Sequence, residues 1–127
     1  MLRFDKTNAN ELIGLLYNSY AHDSQLENIG YHWDEDSIKI ELFNSFFNSK
    51  LDLTFHNIQV MFTSKGNEYG SRTTILSLSV EEDYSSLKTY LPKYSEYFED
   101  SLYLLFQMFS GDELHIVSKD VIVQITK

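Results

Sequence analysis

The sequence predicts an α+β domain, in which a largely antiparallel sheet of about six to eight strands packs on one N-terminal helix. Apolar and polar residues alternate through four short runs between residues 29 and 62, as in strands with one buried and one solvated face. The connections between these runs are short and polar, which suits hairpins better than crossover helices. With 127 residues and no linker or internal repeat, the chain is expected to form a single domain, residues 1–127.

The helix is predicted over Thr7–Tyr20, where apolar residues recur at spacings of three and four. Asn8 is the expected N-cap, with Thr7 as the alternative, because Glu11 follows Asn8 at the spacing of a capping box. Gly14 lies inside this helix, where glycine costs about 1 kcal/mol relative to alanine. We therefore expect Gly14 to mark a close approach of the helix to the sheet.

The four alternating runs predict the first part of the sheet. They are Ile29, Tyr31 and Trp33; Ile38, Ile40 and Leu42; Leu51, Leu53 and Phe55; and Ile58, Val60 and Phe62. The first two runs are expected to pair around the acidic turn Asp34–Asp36. Between the last two, the apolar parity slips at His56 and Asn57, which indicates either a two-residue hairpin with Asn57 at positive φ or a bulge in one bent strand. The sequence leaves both alternatives open.

The middle of the chain is predicted to contain a fifth strand and a short helix. Alternation returns over Thr74–Val80 and predicts the strand. From Tyr84, the spacing of Leu87 and Leu91 predicts one or two helical turns, which Pro92 ends. The connection that follows is rich in aromatic and acidic residues.

The last third of the chain is predicted to form three strands. Leu102–Phe109 is apolar at both parities, which predicts a central strand that is buried on both faces. Leu114–Val117 and Val121–Ile125 are predicted as the last two strands, with a turn at Ser118–Asp120.

The composition argues against several classes of function. Nineteen acidic against ten basic residues give a formal net charge of −9, which repels phosphate backbones and anionic lipids, so neither direct nucleic-acid binding nor membrane binding is expected. This charge favours a basic protein partner, or serves solubility alone. The absence of cysteine excludes disulfides, thiolate nucleophiles and cysteine zinc sites. Without a signal peptide or a run that could span a bilayer, the chain is expected to be cytoplasmic.

The candidate chemical residues do not converge in sequence. The four histidines are scattered, and His32 and His115 fall on polar parities, which predicts solvent-facing strand positions. The segment His22–Ser24 is expected to satisfy backbone groups at a turn. We therefore predict no catalytic residue, no metal ligand and no cofactor, and we expect that the protein is not an enzyme.

Two kinds of surface are predicted to bind a partner. Acidic residues form two clusters, and aromatic residues lie in two connections. The predicted partner-binding residues are Asp34, Glu35 and Asp36; Glu81, Glu82 and Asp83; and the aromatic residues Phe46, Phe47, Tyr94 and Tyr97. Acidic side chains speed encounter with a basic protein, and buried rings hold the complex together.

Three segments of the chain resemble a loose group of small bacterial proteins from polymorphic toxin systems, many of which are known as immunity proteins. The segments are His22-Asp23-Ser24 followed by Leu26 and Ile29; Phe55-His56-Asn57-Ile58-Gln59-Val60; and Ser110-Gly111-Asp112-Glu113-Leu114-His115-Ile116-Val117-Ser118-Lys119-Asp120-Val121. The second segment departs from the group, which usually has glycine at the position of Asn57.

The resemblance implies that the protein binds and neutralises a cognate toxin, often a nuclease, without catalytic residues of its own. The partner would then be a basic protein, such as a toxin nuclease domain. An alternative is a small-molecule-binding or enzymatic domain with an aromatic pocket between sheet and helix. A structural subunit is a third alternative, and the sequence does not define the oligomeric state.

Overall fold

The computed structural model describes residues 1–18, 21–66, 70–84, 87 and 100–127. Within them the chain forms an N-terminal α-helix of ten residues and seven strands, which confirms the predicted α+β class and antiparallel sheet. The elements are β1 (Leu2–Asp5), α1 (Ala9–Asn18), β2 (Gln25–His32), β3 (Ser37–Asn44), β4 (Ser49–Ser64), β5 (Ile75–Val80), β6 (Leu102–Met108) and β7 (Glu113–Thr126). Short 3-10 turns, Lys6–Asn8 and Trp33–Glu35, precede α1 and β3.

The sheet is organised around the long antiparallel ladder between β4 and β7. The strand order is β2-β3-β4-β7-β6-β5, and β1 pairs with β7 outside this order. The first half of β4 also pairs with β3, up to His56 opposite Ser37. The other edge of β7 is shared, because β6 pairs with its first half and β1 pairs with residues 120–123. The two central strands therefore join the β2–β3 pair on one side to the β6–β5 pair and β1 on the other.

The two ends of this strand order meet at one point. Gln25 of β2 forms an isolated antiparallel bridge with Thr74, just before β5. Two backbone hydrogen bonds extend this contact, from the Asp23 N–H to the Ile75 carbonyl at 2.9 Å and from the Ile75 N–H to the Ser24 carbonyl at 2.8 Å. The sheet thus curls until its first and last strands touch.

The main core fills the inside of the curled sheet. Leu12 and Leu16 of α1 pack there against the inward side chains of β3, β4, β6 and β7, such as Ile40 and Phe106. A smaller cluster covers the other face of β6 and β7 and contains Tyr103, Leu105, Val117 and Leu87. Because both faces of β6 are covered, its apolar residues show no alternation.

The helix begins differently from the prediction. Asp5 is the N-cap of the 3-10 turn Lys6–Asn8 that runs directly into α1: its carboxylate accepts the Thr7 N–H at 2.8 Å, and its own N–H donates to Oδ1 of Asn8, the predicted cap, at 2.7 Å. The capping box therefore lies three residues earlier, because β1 ends at Asp5 and a 3-10 turn precedes α1. Gly14 is exposed, and a Cβ added to it would meet no atom within 4 Å, so the predicted close approach to the sheet is wrong.

Two strand predictions are corrected along the β4–β7 ladder. Residues 49–64 form one bent strand with a bulge, and Asn57 has φ 55°. Of the two alternatives at His56 and Asn57, the bulge is therefore correct and the hairpin is wrong. The last two predicted strands are one continuous strand, so the predicted turn at Ser118–Asp120 is wrong. The polar residues there pair across the ladder, with Asp120 opposite His56 and Ser118 opposite Ile58, and they do not reverse the chain.

Three other differences concern strand positions. The buried strand β6 lies next to the edge strand β5, and the central place belongs to β7. Trp33 leaves the sheet in a 3-10 turn and is 82% exposed. The short strand β1 was not predicted. The predicted short helix from Tyr84 lies largely outside the described residues, although Leu87 is helical and buried.

Positive φ angles identify the points where the described chain bends sharply. The non-glycine residues with positive φ are Asp23, Asp36, Asn48 and Asn57. Asp and Asn tolerate this conformation better than other side chains because they hydrogen-bond the local backbone. These residues therefore fix the connections between α1 and β2, between β2 and β3, and between β3 and β4, and they fix the bulge.

Candidate functional site

The first candidate surface is the acidic turn, residues 33–36, between β2 and β3. Asp34, Glu35 and Asp36 are exposed, as the sequence predicts for a hairpin tip. Asp36 adopts a left-handed conformation, and its N–H donates to the Trp33 carbonyl. The Trp33 ring is 82% exposed and lies 4.4 Å from the Tyr31 ring, measured between centroids. An indole thus stands in solvent beside three carboxylates.

The second acidic cluster, Glu81–Asp83, follows β5. Glu81 is half-buried. Its N–H donates to the Tyr103 carbonyl at 2.8 Å, and its carboxylate accepts the Ser79 hydroxyl at 2.8 Å. Glu82 and Asp83 are exposed. Glu81 and Glu82 line a cavity of about 290 Å³ together with Lys6 and Thr7, at the start of the helix.

The strand register places both acidic clusters toward one end of the sheet. Asp5, Asp120, His56 and Ser37 lie side by side on β1, β7, β4 and β3. The chain continues from Ser37 into the acidic turn and from Asp5 into the Lys6–Asn8 turn beside Glu81. Three strand spacings separate these two points, which corresponds to roughly 14 Å. The two acidic clusters are therefore close enough for a single protein interface to cover both.

The other candidate surface is the aromatic groove, a concavity of about 560 Å³ between the end of α1, β5 and the β3–β4 turn. Its exposed walls include Tyr17, Phe46, Phe47 and Leu76, and its polar lining includes His22 and Asp23. Tyr17 is 87% exposed and Phe46 is 79% exposed, against 54% for Phe47. Large rings in this exposed state, around a concave site, indicate a contact surface.

Asn44 at the end of β3 holds the groove together. Its side chain is buried, and Oδ1 accepts the N–H groups of Phe46 at 3.0 Å and Phe47 at 3.3 Å. Its Nδ2 donates to the His22 carbonyl at 3.3 Å. These bonds fix the β3–β4 turn against the segment that leads into β2, so the two rings are displayed beside the end of the helix.

The segment His22–Ser24 closes the sheet, as expected for turn residues. His22 Nδ1 lies 2.6 Å from the Leu76 carbonyl oxygen and must donate to it, because a carbonyl only accepts. Asp23 has φ 67°, and the Ser24 N–H donates to the Ala21 carbonyl. The side chains and backbone of this motif therefore join β2 to β5 at the edge of the aromatic groove.

The predicted partner-binding residues do not lie on a single patch. The acidic turn and the β3–β4 turn lie at opposite ends of the eight-residue strand β3, so roughly 25 Å separates the acidic residues from Phe46 and Phe47. Tyr94 and Tyr97 lie outside the described residues. The assignment of these ten residues to an interface remains a prediction.

His115 is buried, which corrects the prediction that it faces solvent, whereas His32 is exposed as predicted. His115 Nδ1 lies 2.5 Å from the Tyr103 hydroxyl, and Nε2 lies 3.3 Å from Glu113 Oε1. Glu113 also accepts the Gln107 amide at 3.0 Å. The alternation correctly placed His115 on the face of β7 opposite the main core. That face is buried as well, because the second cluster covers it.

A serine, a histidine and an aspartate lie side by side on β3, β4 and β7. His56 Nδ1 is 3.2 Å from Asp120 Oδ1, and Arg3 holds the other oxygen at 2.6 Å, a hydrogen bond that raises the pKa of Arg3. Ser37 Oγ is buried and has no hydrogen-bond partner among the described residues. Nucleophilic catalysis needs a serine that contacts its base and is reachable by substrate, and this row does not meet that requirement.

Within the described ranges, no group of three or more histidine and acidic side chains is arranged to hold a metal ion. No helix in that part of the chain is long and apolar enough to cross a membrane. Comparison of the sequence with models of known protein families and with curated proteins gave no match.

Proposed function

We propose that the protein binds a basic protein partner stoichiometrically and without catalysis, through the acidic turn and Glu81–Asp83. One observation carries the proposal: Trp33 is 82% exposed, and its ring lies against the Tyr31 ring at a tilt of 41°, directly beside Asp34, Glu35 and Asp36. Tryptophan is among the residue types that most often dominate the energy of protein interfaces. At this exposure the indole adds little to the core of the fold.

The charges around Trp33 define the partner. The chain carries a formal net charge of −9, and the carboxylates at this end are exposed. They would steer a basic protein into encounter, while the indole would be buried on docking or would lie against a cationic side chain of the partner. The charges then determine the rate of association, and the ring determines how long the complex lasts.

A toxin is the class of partner that the resemblance to immunity proteins implies. A nuclease toxin must bind a phosphate backbone and therefore carries a basic surface, which complements the acidic end of this chain. Both proteins would meet in the cytoplasm, where the toxin acts and where a chain without cysteine is at no disadvantage.

The test is a titration of the purified protein with the product of the adjacent gene by isothermal titration calorimetry. We expect one-to-one binding per chain, and Trp33→Ala should raise Kd roughly thirtyfold, as for a hot spot of about 2 kcal/mol. Phe46→Ala is the matched control, because Phe46 is equally exposed but lies at the other end of β3. If Trp33→Ala binds as tightly as the wild type and the Phe46→Ala control, the acidic turn is not the interface.

A small-molecule pocket is the competing function, because the aromatic groove has the volume of a ligand site at about 560 Å³. Such sites bury most of the ligand surface. Here Tyr17 and Phe46 at the rim are 87% and 79% exposed, so a small ligand would remain largely in water. The groove is better suited to contact with another protein surface.

A further inference from the structure

The aromatic groove, a cavity of about 560 Å³, has no role in the proposed binding of a basic partner. Among the described residues that line it, Asp23 is the only Asp, Glu, Lys or Arg, and His22 Nε2 lies 3.4 Å from that carboxylate. A chain with nineteen acidic residues therefore has one apolar surface nearly without charge. Depletion of charge with enrichment of aromatic rings is typical of the centre of a protein interface.

We propose that the aromatic groove is the interface of a symmetric homodimer, in which Phe46 of each copy inserts into the groove of the other. The occupant follows first from charge. A basic partner would gain nothing from a surface with so few carboxylates, whereas two copies of a chain of net charge −9 repel each other least where charges are sparse.

The shape of the surface also fits a second copy. A twofold interface must be self-complementary, so a protruding group and the cavity that receives it must lie on the same surface of one chain. Phe46 protrudes from the β3–β4 turn with 79% of its surface exposed, and it lies at the rim of the 560 Å³ groove. Asn44 fixes the backbone of this turn, so the ring is presented without a large loss of backbone entropy on docking.

The exposed area is close to what a dimer needs. An aromatic side chain contributes roughly 150–250 Å² of surface, so the exposed parts of Tyr17, Phe46, Phe47 and Leu76 amount to on the order of 500 Å². Two copies would together bury about 1,000 Å² from these residues alone, and the rim would raise this toward the roughly 1,200 Å² of the smaller specific interfaces. We therefore expect a dimer with micromolar affinity.

The proposed dimer leaves the acidic turn free. The turn lies at the other end of β3, so each copy of the dimer retains its own surface for a basic partner. The dimer is thus independent of the proposed function, and the failure of one proposal does not affect the other.

Sedimentation velocity of the purified chain from low to high micromolar concentration tests the proposal. We expect a shift from a species of 14.9 kDa to one of twice that mass. The double variant Tyr17→Asp with Phe46→Asp should remain monomeric throughout, while circular dichroism shows an unchanged fold because both side chains are exposed. Trp33→Asp, which changes an equally exposed ring at the other end of β3, should dimerise as the wild type does.

Three results would overturn the proposal. One is a wild-type chain that stays at the mass of one copy at the highest concentration, which would leave the groove to a different protein or to a small molecule. Another is a dimer that survives the double variant. The third is a dimer that Trp33→Asp also dissociates, since it would then form through the acidic turn.

Discussion

Tyr103 of β6 and His115 of β7 form a buried hydrogen bond between neighbouring strands, with 2.5 Å between the hydroxyl oxygen and Nδ1. Each residue is 1% exposed. His115 Nε2 faces the Glu113 carboxylate, which accepts, so in the neutral imidazole Nε2 carries the proton and Nδ1 accepts the Tyr103 hydroxyl. The bond therefore satisfies two polar groups that have no access to water.

Removing the Tyr103 hydroxyl should leave His115 Nδ1 without this donor inside the second cluster. We expect Tyr103→Phe to lower the free energy of unfolding by roughly 1–3 kcal/mol, the cost of a buried polar group that loses its partner. Urea denaturation followed by circular dichroism measures this change. Tyr17→Phe is the control: its hydroxyl is on an exposed ring, so its effect should stay within about 0.5 kcal/mol. Equal stabilities for the two variants would show that the hydrogen bond between Tyr103 and His115 does not stabilise the fold.

The inner face of β6 should be among the most sensitive parts of the chain. Leu104 and Phe106 are both 0% exposed and belong to the main core. Truncation of either to alanine leaves a cavity and should cost roughly 2–5 kcal/mol, enough to unfold a domain of this size partly at 37 °C. Ile13→Ala, at a helix position that is 39% exposed, should cost much less. Thermal melts of the three variants provide the comparison, and a melt of Phe106→Ala near that of the wild type would refute the packing described for β6.

Two glycines should respond to alanine with opposite signs. Gly14 lies in α1 with open space around it, so Gly14→Ala should stabilise the protein by about 0.5–1 kcal/mol through helix propensity. A Cβ at Gly66 would instead overlap the backbone of Ser110 and Gly111, which requires a loop to move. Gly66→Ala should therefore lower the melting temperature. A loss of stability in Gly14→Ala would instead indicate that the helix lies close to the sheet at residue 14, as the sequence predicted.

The carboxylate of Asp112 should make stability depend on acid. The Gly66 N–H donates to Oδ1 at 2.5 Å and Arg72 Nη1 lies 3.1 Å from Oδ2; the Gly66 bond and, with a smaller effect, Arg72 and Lys65 hold the pKa of Asp112 below its ordinary value of 3.8. Because the unfolded chain takes up the proton first, this contribution is present above pH 3.8 and is lost as the pH falls through the lower pKa of the folded state.

Substitution of Asp112 should remove that dependence. We expect Asp112→Asn to be less stable than the wild type at neutral pH and to lose less stability on acidification, because its side chain cannot change charge. Asp34→Asn, at the exposed acidic turn, serves as the control and should follow the wild-type curve. Urea midpoints measured at several values between pH 3 and 7 distinguish the two cases, and parallel curves for wild type and Asp112→Asn would show that this carboxylate has no role in acid stability.

Alternation predicted β3 from the sequence because only one of its faces meets the core: Ile38, Ile40 and Leu42 are all 0% exposed. The same signal could not show that β7 is a single strand, since both of its faces are covered near Leu114–Ser118 and polar residues follow. The bulge between Ile58 and Val60, just after Asn57, depends on whether β7 continues opposite it, which is long-range information. For the same reason the sequence assigned His115 to solvent, because its partner Tyr103 lies on another strand.

The candidate surfaces could be predicted only in part. Charged residues of the acidic turn are exposed wherever a hairpin tip occurs, so the sequence was sufficient for them. The aromatic groove joins Tyr17 of α1, Phe46 of a turn and Leu76 of β5, and only the closure of the sheet through His22–Ser24 brings these segments together. No local sequence pattern predicts that closure.

The last prediction concerns the acidic turn as a steering surface. The variant should reverse Asp34 and Glu35 to lysine and change Asp36 only to asparagine, because residue 36 has φ 48°, which lysine would adopt only with strain. Exposed carboxylates contribute little to folding, since isolated surface pairs are worth only about 0–1 kcal/mol, so the melting temperature should not change. With the product of the adjacent gene as the proposed partner, the association rate constant should fall by about tenfold or more at low ionic strength. The difference from wild type should shrink as salt shortens the Debye length to roughly 10 Å and below. Surface plasmon resonance at two ionic strengths measures both effects, and Glu27→Lys, at an exposed position in the first half of β2, is the control for a charge reversal outside the turn. An association rate equal to that of the wild type at both ionic strengths would leave the carboxylates with solubility as their only role, and Trp33 would then have to account for binding without electrostatic steering.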